Sequence, residues 1–308
     1  MSFSEVDLVR WLKERSGSDA SVLVGIGDDG AVLDPAGRGP LVFACDQTVE
    51  GVHFERGEAS WKEVGHKALA RNLSDLAAMA ARPWVALCSL SLPGDVTIEN
   101  CRQLFAGILE TAARESTLLV GGDLCRVPSR VAIDIAVIGA LEGRRPLLRS
   151  AARAGDEILV TGELGASRQH HHLRFTPRWR EAIALAATDR VHACIDLSDG
   201  LSIDLQRMAE SSGVDACVQA SSLPLRGTRA GVPCSITQAL HDGEDFELLL
   251  AAAPGSGDVL ASAIGAQTKL TRIGRVETRS GTHARLWLEQ DGRRSPLPAK
   301  GYEHRFDT

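Results

Sequence analysis

Aspartate residues stand at the ends of apolar runs, on a helical stretch and in glycine-containing turns of this 308-residue chain. They are Asp28, Asp29, Asp46, Asp75, Asp123, Asp196 and Asp199. Mg²⁺ prefers oxygen ligands and usually joins one or two carboxylates to substrate phosphates. Several acids in one site need several cations before their charges can coexist. The pattern therefore predicts a site for several Mg²⁺ ions and a polyphosphate, although each aspartate could instead be a solvated turn residue or a helix cap.

The stretch GIGDDG (25–30) also has the G-x-G-x-x-G spacing of a dinucleotide-binding turn. That turn needs free backbone N–H groups at a helix N-terminus, close to the pyrophosphate. The carboxylates of Asp28 and Asp29 would repel a pyrophosphate, and the following AVLDPAGRGP contains prolines and glycines that exclude a helix. We therefore favour metal binding over dinucleotide binding and expect no binding of NAD.

Other site chemistries receive little support from the sequence. His170–His172 are adjacent, so they do not share a helix face as zinc ligands would, and we expect a solvated loop there. No G-x-S-x-G follows a strand-like segment, which argues against a serine hydrolase.

Composition narrows the function class further. The net charge is −6 without a basic block, so nucleic acids and anionic membranes are poor partners. No apolar run reaches the roughly 18 residues of a membrane span, and the N-terminal residues lack the apolar core of a signal peptide. The 7 cysteines form no C-x-x-C pair, so we expect reduced, mostly buried thiols in a cytoplasmic protein.

Strand-like and helix-like segments alternate along the chain and would position the aspartates. We predict strands over 40–46, 84–93, 117–123, 130–142 and 157–162, and helices over 60–83, 97–116, 178–187 and 200–211. The basic, Gly/Pro-broken segment 143–157 separates two halves, which we take as domains 1–145 and 146–308.

Motifs in a fixed order resemble those of thiamine-monophosphate kinases, within the aminoimidazole-ribonucleotide synthetase-like superfamily of ATP enzymes. They are GIGDD, D-x-x-V-E-G-V-H-F (46–54), KALARNLSDLAAMAARP, VGGD, VTGELGAS (160–167), IDLSDGLSIDL and DGEDFELLL. The resemblance implies an α+β fold of two domains, the N-terminal one a mixed sheet flanked by helices and the C-terminal one an α/β sandwich. It also implies transfer of the γ-phosphoryl group of ATP onto thiamine monophosphate, several Mg²⁺ ions, and a homodimer joined through the N-terminal halves.

The same resemblance assigns roles to individual positions. Metal-binding acids correspond to Asp29, Asp46, Asp75, Asp123, Asp196 and Asp199. ATP contacts correspond to Phe105, Gly121, Gly122, Arg149 and Ser198, and thiamine monophosphate contacts to His53, Glu244 and Tyr302. No residue is expected to act as a covalent catalyst, because the transfer is direct and metal-assisted.

Two departures from the family pattern leave alternatives open. Ala44 and Cys45 stand where the family has hydroxyl residues that help to hold a metal, and we expect the Cys45 thiol to be buried. A helix that the family has after Ser167 is missing, which affects one wall of the substrate site. The alternatives are another ATP enzyme of the superfamily, or a nucleotide-binding protein with lost or altered catalysis.

Overall fold

A computed structural model describes residues 5–26 and 31–303, with side chains described from Leu8 onward. Within these ranges the chain divides into two compact units. The first contains the residues up to Leu76 and Ala81–Gly143, and the second contains Ala77–Ala80 and the residues from Arg144 onward.

The first unit contains three helices and six strands among its described residues. In chain order they are α1 (Glu5–Arg15), β1 (Val22–Val24), β2 (Val32–Leu33), β3 (Leu41–Val49), α2 (Trp61–Ala78, whose last two residues belong to the second unit), β4 (Arg82–Pro93), α3 (Ile98–Arg114), β5 (Leu118–Val127) and β6 (Ala132–Ala140).

Strands β3 to β6 form a mixed four-stranded sheet in the order β3-β6-β4-β5. The pairs β3–β6 and β4–β6 are antiparallel, and β4–β5 is parallel, which confirms the mixed sheet expected for this half. On β6, Ile133, Ile135 and Val137 are buried and alternate with partly exposed residues, so one face of the sheet is covered. Asn72 of α2 hydrogen-bonds to Asp46 of β3, which places this helix against the covered side.

Helix α2 begins with a capping box and ends earlier than its apolar pattern predicts. Ser60 Oγ accepts the Glu63 N–H, while the Glu63 carboxylate accepts the Ser60 N–H. The helix stops at Ala78 rather than near Pro83, because Ala80 adopts a left-handed backbone with φ of 55°. The Ala81 N–H then donates to Leu76 O, which completes a Schellman-type ending.

The second unit contains seven strands and four further helices among its described residues. They are β7 (Glu157–Thr161), α4 (Trp179–Ala186), β8 (Val191–Asp196), α5 (Leu201–Ser212), β9 (Val214–Gln219), α6 (Ile236–His241), β10 (Leu248–Ala252), α7 (Gly257–Ile264), β11 (Leu270–Thr278), β12 (Leu286–Gln290) and β13 (Arg293–Pro296), with 3₁₀ turns at His171–Leu173 and Ala220–Ser222.

These strands form one sheet, ordered β13-β12-β9-β11-β7-β10-β8, with apolar clusters on both faces. In β10, Leu249 packs with the buried residues of α5, whereas Leu248 and Leu250 pack with those of α4 and α7. A strand buried on both sides reads as a continuous apolar run, as LLLAA does. The arrangement confirms the α/β sandwich expected for the C-terminal half.

Candidate functional site

The turn between β8 and α5 carries three predicted site residues: Asp196, Ser198 and Asp199. Asp196 ends the strand and is buried, while Ser198 and Asp199 are partly exposed. No side chain of the turn itself caps α5, contrary to the simple interpretation of LSDG as a helix cap. Instead Asp204, from within the helix, reaches back, and its Oδ2 accepts the backbone N–H groups of Asp199 at 3.0 Å and Gly200 at 3.1 Å.

Arg207, one turn further along α5, connects the two carboxylates of this segment. Its NH1 donates to Asp199 Oδ2 at 2.5 Å and to Asp204 Oδ1 at 2.7 Å. Burial, together with the charges of Asp196 and Asp199, raises the pKa of Asp204 to about 7. One guanidinium thus serves two carboxylates at this turn, and the ionised form of Asp204 is disfavoured.

The DGEDFE segment pairs with this turn through its backbone. The Glu244 N–H donates to Ser198 O at 2.7 Å, the Phe246 N–H donates to Leu197 O at 2.8 Å, and the Leu197 N–H donates to Glu247 O at 2.8 Å. Glu244 and Phe246 both have positive φ values, 57° and 49°, which residues other than glycine rarely adopt. Such strained backbone occurs where surrounding contacts fix it, often at functional sites.

The histidine tract lies against the same segment, so the expected solvated loop at His170–His172 is wrong. Between Ser167 and Arg178 the structure has a single 3₁₀ turn rather than a helix. His172 Nδ1 and Arg168 Nε each lie 3.4 Å from Glu244 Oε2. Sequence reasoning missed Arg168 and His172; their only signal was their place in the shortened segment after Ser167.

Buried polar groups continue behind Glu244. Asp245 is fully buried, its Oδ1 accepts the Gly165 N–H at 2.9 Å and the Ser167 hydroxyl, and burial raises its pKa to about 7. His171 Nε2 lies 3.0 Å from Asp245 O. Burial, with the nearby charge of Arg226, lowers the pKa of His171 to about 4, so its ring is neutral and donates to that carbonyl.

The chain's later residues return to the Asp199 turn. The Tyr302 N–H donates to Asp199 O at 3.0 Å, and Lys300 exchanges hydrogen bonds with Ser202 Oγ at 2.7 and 3.0 Å. Gly301 lies so close that a Cβ there would stand 2.3 Å from Asp199 O, so only glycine fits. The structure thus brings Ser198, Glu244 and Tyr302 around Asp199.

Arg149 lies beside β8 and α5, the strand and the helix that flank the Asp199 turn. Its side chain is exposed, and its carbonyl accepts the Ser212 hydroxyl of α5 at 2.8 Å. The preceding Leu148 carbonyl accepts the N–H of Cys194 in β8, the strand that ends in Asp196.

In the first unit, Asp46 lies on β3 and is held by α2. Its N–H donates to Asn72 Oδ1 at 2.7 Å, and Arg71 Nε donates to its Oδ2 at 3.1 Å. Asp75 follows on the same helix and is partly exposed.

Asp123 lies apart from Asp46 in the sheet, on the exposed part of β5 opposite Ser89 of β4. Strands β3 and β5 are the two edges of the sheet, which separates them by three strand spacings, roughly 14 Å. Asp28 and Asp29 lie outside the described residues. The chain after them pairs as β2 rather than forming a helix, as the argument against a dinucleotide turn expected.

Structural roles are visible for several predicted nucleotide and substrate residues. A Cβ on Gly122 would stand 1.9 Å from Cys88 O, so strand packing alone requires glycine there, whereas at Gly121 it would meet Leu87 Cδ2 at 3.0 Å. Phe105 is buried on α3. The Val49 N–H donates to His53 Nδ1 at 3.0 Å, which fixes the His53 ring.

The expectation of a buried thiol at Cys45 is wrong. Cys45 is exposed, because alternation along β3 turns it away from α2, whereas Ala44 shares the side of Asp46. Partial burial and the carboxylates of Asp134 and Asp46 raise the pKa of Cys45, so the thiol stays protonated. All the cysteines are free thiols, and apart from Cys45 and Cys125 they are buried.

A preformed metal cage is absent from the described ranges: no three His, Cys, Asp or Glu side chains there gather closely enough to hold an ion. The donor chemistry still fits Mg²⁺. The predicted ligands are carboxylates, and arginine cations already neutralise Asp46 and Asp199. Mg²⁺ typically binds with substrate phosphates and keeps several waters, which requires no all-protein cage.

Family models match both halves of the chain. Residues 27–141 match the AIR synthase related protein, N-terminal domain, and residues 158–286 match the AIR synthase related protein, C-terminal domain.

Individual proteins give a narrower comparison. The chain is 37% identical over 295 residues to the thiamine-monophosphate kinase of Rhodopirellula baltica, an alignment that covers 92% of each chain. The crystal structure of thiamine-monophosphate kinase from Stenotrophomonas maltophilia K279a matches with a TM-score of 0.76 at 33% identity, covering 92% of this chain and 96% of that one. The structure of AaThiL complexed with AMPPCP and TMP matches with a TM-score of 0.75 at 28% identity, covering 97% and 96%. With near-full-length similarity of this kind, the chain belongs to the thiamine-monophosphate kinase family.

Proposed function

We propose that this chain transfers the γ-phosphoryl group of ATP to thiamine monophosphate and releases thiamine diphosphate and ADP, in a reaction that requires Mg²⁺. The relatives named above are thiamine-monophosphate kinases, and AaThiL was solved with AMPPCP and TMP. One observation in this chain supports the proposal most strongly. The backbone carbonyls of Ser198 and Asp199, predicted to contact ATP and metal, accept hydrogen bonds from Glu244 and Tyr302, predicted to contact thiamine monophosphate.

Mg²⁺ would be held by the aspartates at the strand ends and turns, and when bound it would neutralise phosphate charge and polarise phosphoryl oxygens. These residues are Asp29, Asp46, Asp75, Asp123, Asp196 and Asp199. The carboxylates of Asp196 and Asp199 both lie where β8 leads into α5, which supports a cation there.

The remaining assignments are proposals of the same kind. For ATP they are Phe105, Gly121, Gly122, Arg149 and Ser198, and for thiamine monophosphate they are His53, Glu244 and Tyr302. We assign metal and ATP binding to residues 1–145, and completion of the nucleotide and substrate sites to residues 146–308.

Direct phosphoryl transfer requires no covalent intermediate on the protein. Catalysis therefore depends on positioning the two substrates and on neutralising the charge of their phosphates. Ser198 and Asp199 orient the nucleotide side, and Glu244 and Tyr302 orient the acceptor from the same turn. The buried strands β8 and β10 keep that turn rigid, which holds two anions in register for in-line attack.

We also propose that the protein acts as a homodimer in the cytoplasm. Four residues, Phe43, Cys45, Leu87 and Ala136, define what we call the open sheet face of the first unit. Cys45, Ala136 and Leu87 stand in register across β3, β6 and β4, and Phe43 lies two residues before Cys45 on the same side of β3. Phe43 is 70% and Leu87 43% exposed. A second copy packed on this apolar face would bury it, in keeping with the implied dimerisation through the N-terminal half. None of the described helices combines the length and apolar character that crossing a bilayer requires.

The test is a single incubation of purified protein with ATP, Mg²⁺ and thiamine monophosphate, followed by chromatography for thiamine diphosphate and ADP. We expect equimolar products, and none when EDTA replaces Mg²⁺. ADP without thiamine diphosphate would refute the proposed acceptor, and turnover in EDTA would refute the metal requirement.

A further inference from the structure

Three groups of the second unit meet at one peptide turn, Ser198–Asp199–Gly200. On its carbonyl side, Ser198 O and Asp199 O accept the N–H groups of Glu244 and Tyr302. On its N–H side, both Asp199 N and Gly200 N donate to one oxygen, Asp204 Oδ2. The turn is thus held on both sides, by the Asp204 carboxylate on its N–H side and by the N–H groups of Glu244 and Tyr302 on its carbonyl side.

Asp204 is placed to act through this turn rather than on a ligand. It is fully buried, so it is not accessible to substrate. Its second oxygen, Oδ1, accepts from Arg207 NH1, the same nitrogen that donates to the Asp199 carboxylate. Asp204 therefore fixes the backbone of Asp199 directly and its side chain through Arg207.

We infer that Asp204 is a positioning residue for the phosphoryl transfer, which sets the nucleotide side and the thiamine phosphate side of the site together through the Ser198–Gly200 turn. The inference rests on the proposed function. A residue that only capped α5 would affect stability alone, whereas a residue that sets this turn affects binding on both sides of the transfer.

Asp204→Asn is the discriminating change. Asparagine has the same shape and can keep an acceptor oxygen on the two N–H groups, but its amide group then faces the Arg207 guanidinium, donor against donor. The segment should remain helical while the link to Asp199 is lost.

Asp215 offers a matched control. It is also buried, and its carboxylate accepts the backbone N–H groups of Ser280 and Arg285 and the Ser280 hydroxyl. It lies on β9, away from the turn, so Asp215→Asn measures the cost of losing a buried carboxylate without touching the site.

The kinetic experiment compares wild type, Asp204→Asn and Asp215→Asn. We expect Asp204→Asn to raise both the Mg²⁺ concentration for half-maximal activity and the KM for thiamine monophosphate at least fivefold. Asp215→Asn should stay within twofold for both, while the two variants lower Tm to a similar extent. Equal kinetic effects in the two variants would overturn the inference.

Calorimetry of Mg²⁺ with a non-hydrolysable ATP analogue tests the inference without turnover, so it separates a failed inference from a failed assignment of the reaction. Weaker binding by Asp204→Asn than by Asp215→Asn supports it, and equal binding overturns it.

Arg207 provides a second route should Asp204→Asn not fold, since its side chain is 39% exposed. One nitrogen makes both of its carboxylate contacts, so a lysine ammonium can replace it in part. We expect Arg207→Gln to raise the KM for thiamine monophosphate severalfold, and Arg207→Lys to stay close to the wild-type value. Identical behaviour of the two variants would refute the linkage.

Discussion

Asp46, a proposed metal ligand, is fixed at two points by its protein neighbours. Asn72 accepts its backbone N–H, and Arg71 donates to its carboxylate and to the neighbouring Gln47 carbonyl. The guanidinium neutralises the carboxylate when no cation is bound. A metal at Asp46 must therefore compete with Arg71, which favours binding that is driven by nucleotide phosphates rather than by the protein alone.

We expect Asp46→Asn to abolish thiamine diphosphate formation while the fold persists. The change removes a charged ligand worth several kcal/mol of transition-state stabilisation, yet keeps size and shape. Turnover at saturating Mg²⁺ and the circular dichroism spectrum measure the two effects. Asp95→Asn, which alters an exposed ion pair with Arg56 in the same unit, serves as the control. Near-normal turnover in Asp46→Asn would refute the metal assignment.

His171 should make stability depend on pH. Its pKa falls from 6.5 to about 4 on folding, so between pH 4 and pH 6.5 the unfolded chain binds a proton that the folded protein does not bind. The stability contributed by the neutral ring is thus full above pH 6.5 and is lost as pH falls toward 4. Between pH 7 and pH 5 this amounts to about 2 kcal/mol.

Replacement by glutamine removes the titration and can keep a donor to Asp245 O. We expect the loss of unfolding free energy between pH 7 and pH 5 to be about 2 kcal/mol smaller in His171→Gln than in wild type. His283→Gln, a change at an 88% exposed side chain, should match wild type. Urea titrations at both pH values measure these unfolding free energies. The same loss between pH 7 and pH 5 in His171→Gln and in wild type would contradict the assignment.

Residue identity at the predicted turn was readable from sequence because the aspartates stand in short motifs, and the structure confirms that Asp196 ends a strand and Asp199 precedes a helix. Asp204 was missed because its contacts run backward along the helix, to N–H groups four and five residues earlier. The environment of Cys45 was missed since ACD does not reveal which face of an edge strand is open.

At the scale of elements, backbone hydrogen bonds join the turn after β8 to the segment before β10. This pairing continues the β8–β10 ladder beyond Leu248, which lies opposite Asp196. The positive φ values of Glu244 and Phe246 are the cost of bending that segment around Ser198. The turn after β8 is therefore fixed by backbone hydrogen bonds, as a paired strand end is.

Gly301→Ala should disturb the site without unfolding the protein. The added Cβ would stand 2.3 Å from Asp199 O, so the Lys300–Tyr302 segment must shift. We expect the KM for thiamine monophosphate to rise severalfold with little change in Tm. A matched substitution is Gly227→Ala, where a Cβ meets nothing within 4 Å. Unaltered kinetics in Gly301→Ala would remove Tyr302 from the substrate site.

Helices and strands were predictable where periodicity was long, as in α3 and β6, and the errors lie at ends and in short segments. Helix α2 ends early because Ala80 adopts a left-handed backbone, which composition does not signal. The histidine tract packs against Glu244 because neighbours distant in sequence, such as Asp245, bury it.

At the scale of the whole molecule, we expect a homodimer that Phe43→Asp converts to a monomer. Phe43 lies on the open sheet face, where a twofold axis would bring two new carboxylates together in a buried interface. Light scattering after gel filtration gives the mass. Val259→Asp, at a 52% exposed residue on α7, should leave the dimer intact. A monomeric wild type, or a dimeric Phe43→Asp, would contradict the proposal.

The two-domain α+β fold was accessible from the alternation of elements and the resemblance in motifs. Strand order was not: β9 lies between β11 and β12, and β12 pairs with it in parallel. Such pairings depend on long-range packing that local patterns do not encode.

The attachment of Lys300 to Ser202 spans 98 residues of sequence, and this distance has a consequence during synthesis. On the ribosome, the Asp199 turn emerges long before the segment that accompanies it, and domains fold in the order in which they are made. We expect a chain arrested before Lys300 to contain a folded sheet but a loosened turn that a protease can cut. The enzyme would then acquire substrate affinity only once the Lys300–Tyr302 segment has joined the Asp199 turn, and a polypeptide that lacks this segment would not consume ATP.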